Sequence, residues 1–301
     1  MKAVAIRSYG GPDVLQLIDL PLPDLAPGDL LIRVATCGVN PADLKWRVGM
    51  FAGVIPLTFP YIPGYDVAGR VEKGDAVPIG TRVFGMLDHR RAGAYAEFAA
   101  VASNAVVPIP EGLDDATAAA LPTPALTGVQ IIDEHIVPRA GQRVLVTGAL
   151  GAVGRFALYA AKARGAIVIA AVRDSQRDAA LALGANETIV LGETPANALN
   201  LDHVVDTVGG VAVAVLCRHL RPGGKIKTAA TTPIPPEGLA SVPEFIAVHP
   251  DNEQLAAIGR AVVAGKVTVP IAHVLLLAEA SKAHRLLEDG HAGGKIILRI
   301  A

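Results

Sequence analysis

The chain has 301 residues, 51% of them hydrophobic, with 27 Lys and Arg set against 28 Asp and Glu for a formal net charge of −1. That balance excludes the basic footprint needed to hold nucleic acid or an anionic membrane surface. No apolar run reaches the ~18 residues of a membrane-spanning helix, and the length and apolar share suit one large or two ordinary domains, each with a real core.

The N-terminus, "MKAVAIRSYGG", places Lys2 and Arg7 around a broken apolar stretch, which predicts no signal peptide. From there to about Ala120 the chain reads as short strands: "KAVAIR", "DLLIRVATCGV", "DVAGRVE", "TRVFGML", "AYAEFAAV" and "AVVPIP". Gly-, Pro- and Asp-rich turns separate them, a pattern that predicts an irregular β domain over residues 1–120. The two cysteines, Cys37 and Cys217, lie far apart and form no disulfide framework, so two reduced thiols in a cytosolic protein are expected. His89, beside Arg90 and Arg91 in a loop, is expected at the surface rather than in catalysis.

After "DDATAAALPTPALTGVQIIDEH" the texture becomes an alternation of apolar strands and helices. "RVLV" leads into a glycine corner and a helix ending at Gly165. "AIVIAAV", the helix "SQRDAALAL", "ETIVL", "HVVDTVGG", the helix "VAVAVLCRHL", "GGKIKTAA" and "EFIAVH" follow. Such strands, buried on both faces, belong to a parallel sheet, and a doubly wound α/β domain is predicted over 121–250. The tail adds the helices "NEQLAAIGRAVVAGKV" and "LAEASKAHRLLEDG" and a last strand, "GKIILRI". A lone final strand needs a partner, and the first β domain is the expected one, so residues 251–301 should complete it.

The corner itself, "VTGALGAVG", sets Gly148, Gly151 and Gly154 between a strand and a helix. In a βαβ unit that spacing predicts a dinucleotide cradle formed by Thr147, Gly148, Ala149, Gly151, Ala152, Val153 and Gly154. Gly148 permits the turn, Gly151 admits pyrophosphate close to the backbone, and Gly154 lets helix and strand pack. Free N–H groups and the helix dipole favour the phosphates there. The plain alternative is a strand-to-helix turn with no ligand. At the end of the second strand, where an acid would take the ribose of NAD, stands Arg173, with Ser175 and Arg177 close behind. A guanidinium suits the 2′-phosphate of NADP. Asp174 could still face a ribose, Ser175 and Asp178 could form a capping box, and Arg177 could lie on a solvated helix face.

The chain resembles the medium-chain dehydrogenase/reductase superfamily over nearly its full length, and more narrowly its zinc-independent quinone oxidoreductase (zeta-crystallin-like) branch. The residues that carry the likeness are "YGGPDVLQL" (9–17), "GVNPADLKWRVG" (38–49), "PYIPGYDVAGRVE" (60–72), "GAYAEFA" (93–99), "LPTPALTG" (121–128), "VTGALGAVG" (146–154), "VVDTVGG" (204–210) and "GKIIL" (294–298). The resemblance implies a GroES-like domain joined to a Rossmann domain. It also implies no metal: the family's alcohol dehydrogenases hold zinc with a Cys where this chain has Asn40, and with a His-Glu pair where it has Tyr65 and Asp66. Zinc prefers thiolate and imidazole, and the four-cysteine structural lobe is absent. The connection "KGDAVPI" is shorter than the family's, which trims a surface loop or reshapes a wall of the substrate cleft.

Further roles follow from the resemblance. Asn40 lines the nicotinamide pocket, Thr127 lies near the ring, Val208 and Gly209 follow the pyrophosphate–ribose side, and "FIAV" (245–248), with Ile246 and Val248, offers backbone to the carboxamide. Tyr65, Tyr61 and Lys45, in that order, are candidates for a proton donor or substrate hydrogen bond. Asn40 could equally cap a turn before Pro41, Thr127 could back-bond within a helix, and the tyrosines could only pack. The expected activity is NADPH-dependent reduction of a quinone. A C=C reductase for enones or 2-alkenals, a non-catalytic NADPH sensor and a zinc alcohol dehydrogenase are the alternatives. A homodimer is expected, joined along the edge "GGKIKTAATTPIPPEG", where Pro233, Pro235 and Pro236 limit strand extension.

Overall fold

A computed structural model describes residues 1–88, 91–290 and 292–300, so His89 and Arg90 lie outside the described residues. The chain divides into two compact units, Met1–Thr123 with Pro250–Ala301, and Pro124–His249.

The first unit opens with β1 (Lys2–Ala5) and β2 (Gln16–Asp19), an antiparallel pair forming a small sheet of their own. Strand β3 (Asp29–Val39) feeds helix α1 (Pro41–Arg47), and β4 (Asp66–Lys73), β5 (Arg82–Met86), β6 (Phe98–Ala102) and β7 (Val106–Pro108) follow. Alternation of buried and exposed residues is weak in β3 because both of its faces are covered, and Leu30, Ile32, Val34 and Cys37 are all buried. Helix α2 (Asp115–Ala120) starts at Asp114, whose carboxylate accepts the Thr117 N–H at 2.9 Å as an N-cap. Its alanines bury a flat face against β3 and β4.

The chain then enters α3 (Pro122–Gln130), which widens into a π-helical turn over Ile131–Ile136. In the second unit β8 (Arg143–Thr147), helix α4 (Ala152–Ala163), β9 (Ile167–Val172), α5 (Arg177–Ala182), β10 (Glu187–Val190), β11 (Leu201–Asp206), α6 (Gly210–Cys217), β12 (Leu220–Thr228) and β13 (Glu244–Phe245) follow. The strand order is β10-β9-β8-β11-β12-β13, parallel throughout. The chain runs outward from β8 to β10 and then returns to β11 on the other side of β8. The strand order therefore reverses at the C-terminal ends of β8 and β11, the crevice where doubly wound sheets take ligands.

Two local readings need correction. The expected strand "EFIAVH" is confined to Glu244–Phe245, with the Ile246 N–H adding one bond to the Thr228 carbonyl at 2.9 Å. Because β13 covers the C-terminal end of β12, the segment "GGKIKTAATTPIPPEG" is not itself the outer edge at Lys227 and Thr228. The helix "SQRDAALAL" begins with a 3-10 turn over Asp174–Gln176, and the side chain that reaches back is Gln176, accepting the Arg173 N–H at 3.2 Å. No capping box links Ser175 to Asp178.

The tail supplies α7 (Asn252–Val263), β14 (Ile271–Leu276), α8 (Ala280–Glu288) and β15 (Lys295–Arg299). Strand β15 pairs antiparallel with β3 from Ile296↔Val39 to Arg299↔Thr36, and β14 lies parallel outside it. The last strand is therefore interior to the first unit's larger sheet, ordered β14-β15-β3-β4-β5-β7 with β6 also on β3. Both cysteines are buried and free, and burial pushes the Cys217 thiol up to about 12, a poor nucleophile. Among the described residues no helix is long and apolar enough to cross a membrane.

Candidate functional site

In the second unit the glycine corner joins β8 to α4. Gly148 turns the chain at φ +60°, and a Cβ there would stand 2.5 Å from the Thr207 hydroxyl. A Cβ on Gly154 would meet the Gly148 carbonyl at 2.3 Å and the Ala149 Cα at 2.8 Å, both backbone atoms, so helix and turn are packed to contact at that point. Gly151 differs: it is exposed, it is the N-cap of α4, and no side chain caps the helix. The first-turn amides of Ala152, Val153 and Gly154 therefore lack helical acceptors, the arrangement that suits an anion at a helix N-terminus. Ala149 is fully buried and serves the turn rather than a surface.

The neighbouring strand ends are held by Asp206, which is fully buried. Its Oδ1 accepts the Thr147 hydroxyl at 2.6 Å and the Val208 and Gly209 N–H groups at 3.0 Å each, and its Oδ2 accepts the Thr228 hydroxyl at 2.6 Å. The side chain of Thr147, a residue expected in the cradle, acts as a strut. Its hydroxyl donates to Asp206 and accepts the Thr207 N–H at 3.0 Å. Val208 is exposed and Gly209 takes φ +75° at the start of α6, so these two border the same crevice end. Sequence reading passed over Asp206 although "VVDTVGG" contained it. The signal was an acid at the end of an apolar strand, where an unpartnered charge could not be buried.

At the end of β9, Arg173, Ser175 and Arg177 are all exposed. Arg177 is engaged: its Nε donates to the Thr188 hydroxyl at 3.1 Å, and its guanidinium lies 3.7 Å from the Asp174 carboxylate. It is thus a weaker ligand candidate than expected, and it occupies the acid that would compete for a ribose. Arg173 makes no ion pair among the described residues. Thr127 and Ile246 are buried, and Val248 is half-buried.

In the first unit a buried polar cluster gathers the ends of three strands. The Lys295 ammonium donates to the Asn40 Oδ1 at 2.6 Å and the Val39 carbonyl at 3.0 Å, and lies 3.5 Å from the Asp66 Oδ2. The Asn40 Nδ2 donates to the same Asp66 oxygen at 2.8 Å, and the Thr123 N–H and hydroxyl donate to its Oδ1 at 2.8 and 2.6 Å. Burial pulls the Lys295 ammonium below the usual lysine value against the opposing pull of Asp66 and Asp43. Of the two roles expected for Asn40, the geometry gives the cap before Pro41. It is the N-cap residue of α1, its backbone N–H donates to the Asp43 carboxylate at 2.8 Å, and its amide oxygen is taken by Lys295. Asn40 therefore frames the site rather than presenting its carbonyl to a ligand. A zinc ion does not fit the same residues. Both Asp66 oxygens and the Asn40 oxygen already have donors, Tyr65 is a phenol, and a lysine cation stands among them.

Tyr61 and Tyr65 flank the Pro63-Gly64 turn. Both are buried, and their hydroxyls approach each other without hydrogen-bond geometry and meet no other partner among the described residues. Burial raises both phenols well above the usual value, so each stays a donor at neutral pH. Tyr61 borders a cavity of about 420 Å³, walled also by Trp46, Ile55, Leu57, Ile62 and Phe98. Lys45 is half-buried, and desolvation lowers its ammonium. Behind them Asp43, fully buried, accepts the Gly64 N–H at 3.1 Å and the Tyr95 hydroxyl at 3.4 Å. The Tyr95 hydroxyl lies 3.2 Å from the His284 Nε2, the His284 Nδ1 lies 3.2 Å from Arg47, and Arg47 pairs with Glu288.

Comparisons with known proteins agree on one family. Residues 26–111 match the alcohol dehydrogenase GroES-like domain and residues 183–298 a zinc-binding dehydrogenase domain. The chloroplast envelope quinone oxidoreductase homolog of Arabidopsis thaliana is 31% identical, over 99% of this chain and 98% of its own length. The quinone oxidoreductase of Coxiella burnetii superposes with a TM-score of 0.87 at 28% identity, over 100% of this chain and 99% of that one. An NAD-dependent alcohol dehydrogenase superposes with a TM-score of 0.86, also at 28% identity, over 100% of both chains.

Two predictions concern the buried charges. Lys295→Met leaves Asp66 without its cation and should lower unfolding free energy by about 3–5 kcal/mol. Adding Asp66→Asn should recover part of that loss in urea titrations, and simple additivity would refute the coupling. The second concerns pH. Burial raises Asp43 from the usual 3.8 to about 7, so the folded state keeps a proton that the unfolded chain loses, and stability falls as pH rises across that window. Burial lowers His284 from 6.5 to about 3, which has the opposite sign: stability is lost as pH falls across its window. Asp43→Asn removes the first slope alone. Its stability relative to wild type should climb between about pH 4 and 7, and a pH-independent difference would refute the titration of Asp43.

Proposed function

The chain belongs to the medium-chain dehydrogenase/reductase superfamily, among its quinone oxidoreductases, and from that premise we propose that this oxidoreductase transfers hydride from NADPH to a quinone without a metal. The observation that carries the cofactor choice is Arg173, an exposed guanidinium at the end of β9 with no ion pair among the described residues, while the adjacent Asp174 is held by Arg177. A bidentate cation there complements a 2′-phosphate, and the Ser175 hydroxyl, free of capping duty, adds a donor.

The amides of Ala152, Val153 and Gly154 bind the pyrophosphate, and Gly151 keeps the approach clear. NADPH, when bound, supplies the hydride. With the zinc position filled by Lys295 and its partners, no Lewis acid polarises the acceptor, so the substrate must already be electron-poor, as a quinone is. Reduction to the hydroquinone takes one hydride and one proton. Tyr61 and Tyr65, as un-ionised phenols lacking partners, donate hydrogen bonds to the oxygen that gains charge, and solvent supplies the proton. Asn40, Asp66 and Lys295 hold the frame. We further propose a homodimer joined along the outer edge of β13, where Phe245 is 55% exposed.

With 1,4-benzoquinone, loss of reduced-nicotinamide absorbance should be faster with NADPH than with NADH and should persist in a chelator. Arg173→Gln should lower kcat/KM for NADPH by about tenfold to a hundredfold while leaving NADH nearly unchanged. Equal use of both nucleotides by the wild type would refute the role of Arg173, and reduction of enones but not quinones would refute the substrate class. Light scattering should give the mass of two 31.0 kDa chains, with Phe245→Glu shifting it toward one, and a monomeric wild type would refute the dimer.

A further inference from the structure

Gln130, the last residue of α3, is fully buried, and both ends of its amide are committed to a single residue. Its Nε2 donates to the His249 carbonyl at 2.9 Å, and its Oε1 accepts the His249 N–H at 3.1 Å. The side chain thus does for one residue what a neighbouring strand does in a ladder, satisfying donor and acceptor together. The His249 ring is held as well, its Nε2 lying 2.9 Å from the Glu134 Oε2. Thr127, Gln130 and Glu134 follow at positions i, i+3 and i+7, so one face of α3 and its π-helical continuation carries all three. The wide turn ends where the Val137 N–H reaches back to the Ile132 carbonyl at 2.8 Å.

This clamp acts on the chain just beyond β13. The segment is pinned at its start, where the Ile246 N–H bonds to the Thr228 carbonyl at 2.9 Å, and at its end by Gln130. Between the pins, the Ala247 and Val248 peptide groups make no hydrogen bond among the described residues. A backbone stretch with free N–H and C=O groups, held at both ends, complements a primary carboxamide, which offers one acceptor and two donors. We infer that Gln130 is a positioning residue that holds Ile246–Val248 as the backbone receptor for the nicotinamide carboxamide. The inference rests on the reading of this segment as part of an NADPH site. Gln130 itself touches no ligand, and its effect is confined to the nicotinamide end of the dinucleotide.

The test compares two nucleotides by calorimetry: NADPH and 2′-phospho-ADP-ribose, which keeps the phosphates and lacks the nicotinamide. Gln130→Met removes both bonds at similar volume. Gln130→Glu keeps an acceptor for the His249 N–H but cannot donate to the His249 carbonyl, and it serves as the second variant if the first fails to fold. Either should weaken NADPH by about tenfold, leave 2′-phospho-ADP-ribose within about twofold of wild type, and lower kcat with 1,4-benzoquinone. Equal weakening of both nucleotides would overturn the proposal by making Gln130 a general prop of the unit, and so would no change in either. Wild-type protein that binds the two equally would instead overturn the underlying reading, since the nicotinamide end would then have no receptor.

Discussion

Lys295 carries a positive charge from the last strand into a part of the first unit that already holds two buried carboxylates, and the geometry there depends on it. Its ammonium meets the Asn40 oxygen, the Val39 carbonyl and, at 3.5 Å, Asp66. Without that cation, Asp66 would be an uncompensated anion in a dry interior, a state that costs several kcal/mol. With it, the start of α1, the ends of β3 and β15 and the first residue of β4 are locked into one arrangement. The turn bearing Tyr61 and Tyr65 opens directly onto that first residue of β4. The neutral phenols thus stand next to a framework whose charges are internally balanced.

The second unit solves a related problem with Asp206. Here no lysine is involved, and two hydroxyls and two peptide N–H groups surround the carboxylate. In both units an acid at a strand end gathers donors from other segments, and in each the gathered segments carry that unit's own candidate residues. A carboxylate is suited to this because its two oxygens offer about four acceptor positions, more than any neutral side chain supplies. The donors are short, Thr147, Thr228 and Thr123 among them, so the strand ends are brought close rather than loosely tethered.

The architecture was legible in the sequence because it rests on local signals. Apolar runs marked the buried strands, and Gly148, Gly151 and Gly154 between "RVLV" and an alanine-rich helix marked the corner. What sequence reading missed depends on pairings between distant residues. Asp66 was noted only as a replacement for a zinc-ligand position, because its partners, Lys295 and Thr123, lie far along the chain. Asn40 and Thr147 were expected to face a cofactor, yet their side-chain polar atoms are engaged inside the protein by Lys295 and Asp206. Ser175 matched a capping pattern by spacing, but Gln176 reaches back first. Gln130 and the widened turn after it left no signature, since a π-helical insertion depends on what the helix packs against.

The first unit is built from two stretches separated by the whole of the second. On a ribosome adding about 5–20 residues per second, Lys295 emerges tens of seconds after Asp66. Through that interval β3 lacks its β15 neighbour, and Asp43 and Asp66 have no cation at hand, so the first unit cannot close. The second unit, being continuous, has every strand available before the tail is made. Order of synthesis therefore imposes an order of assembly: the half that appears first is completed last, by the final strand. A chain cut short before Lys295 would carry every strand of the second unit beside a β-sheet it could not finish, with the unpaired edge of β3 open to proteases.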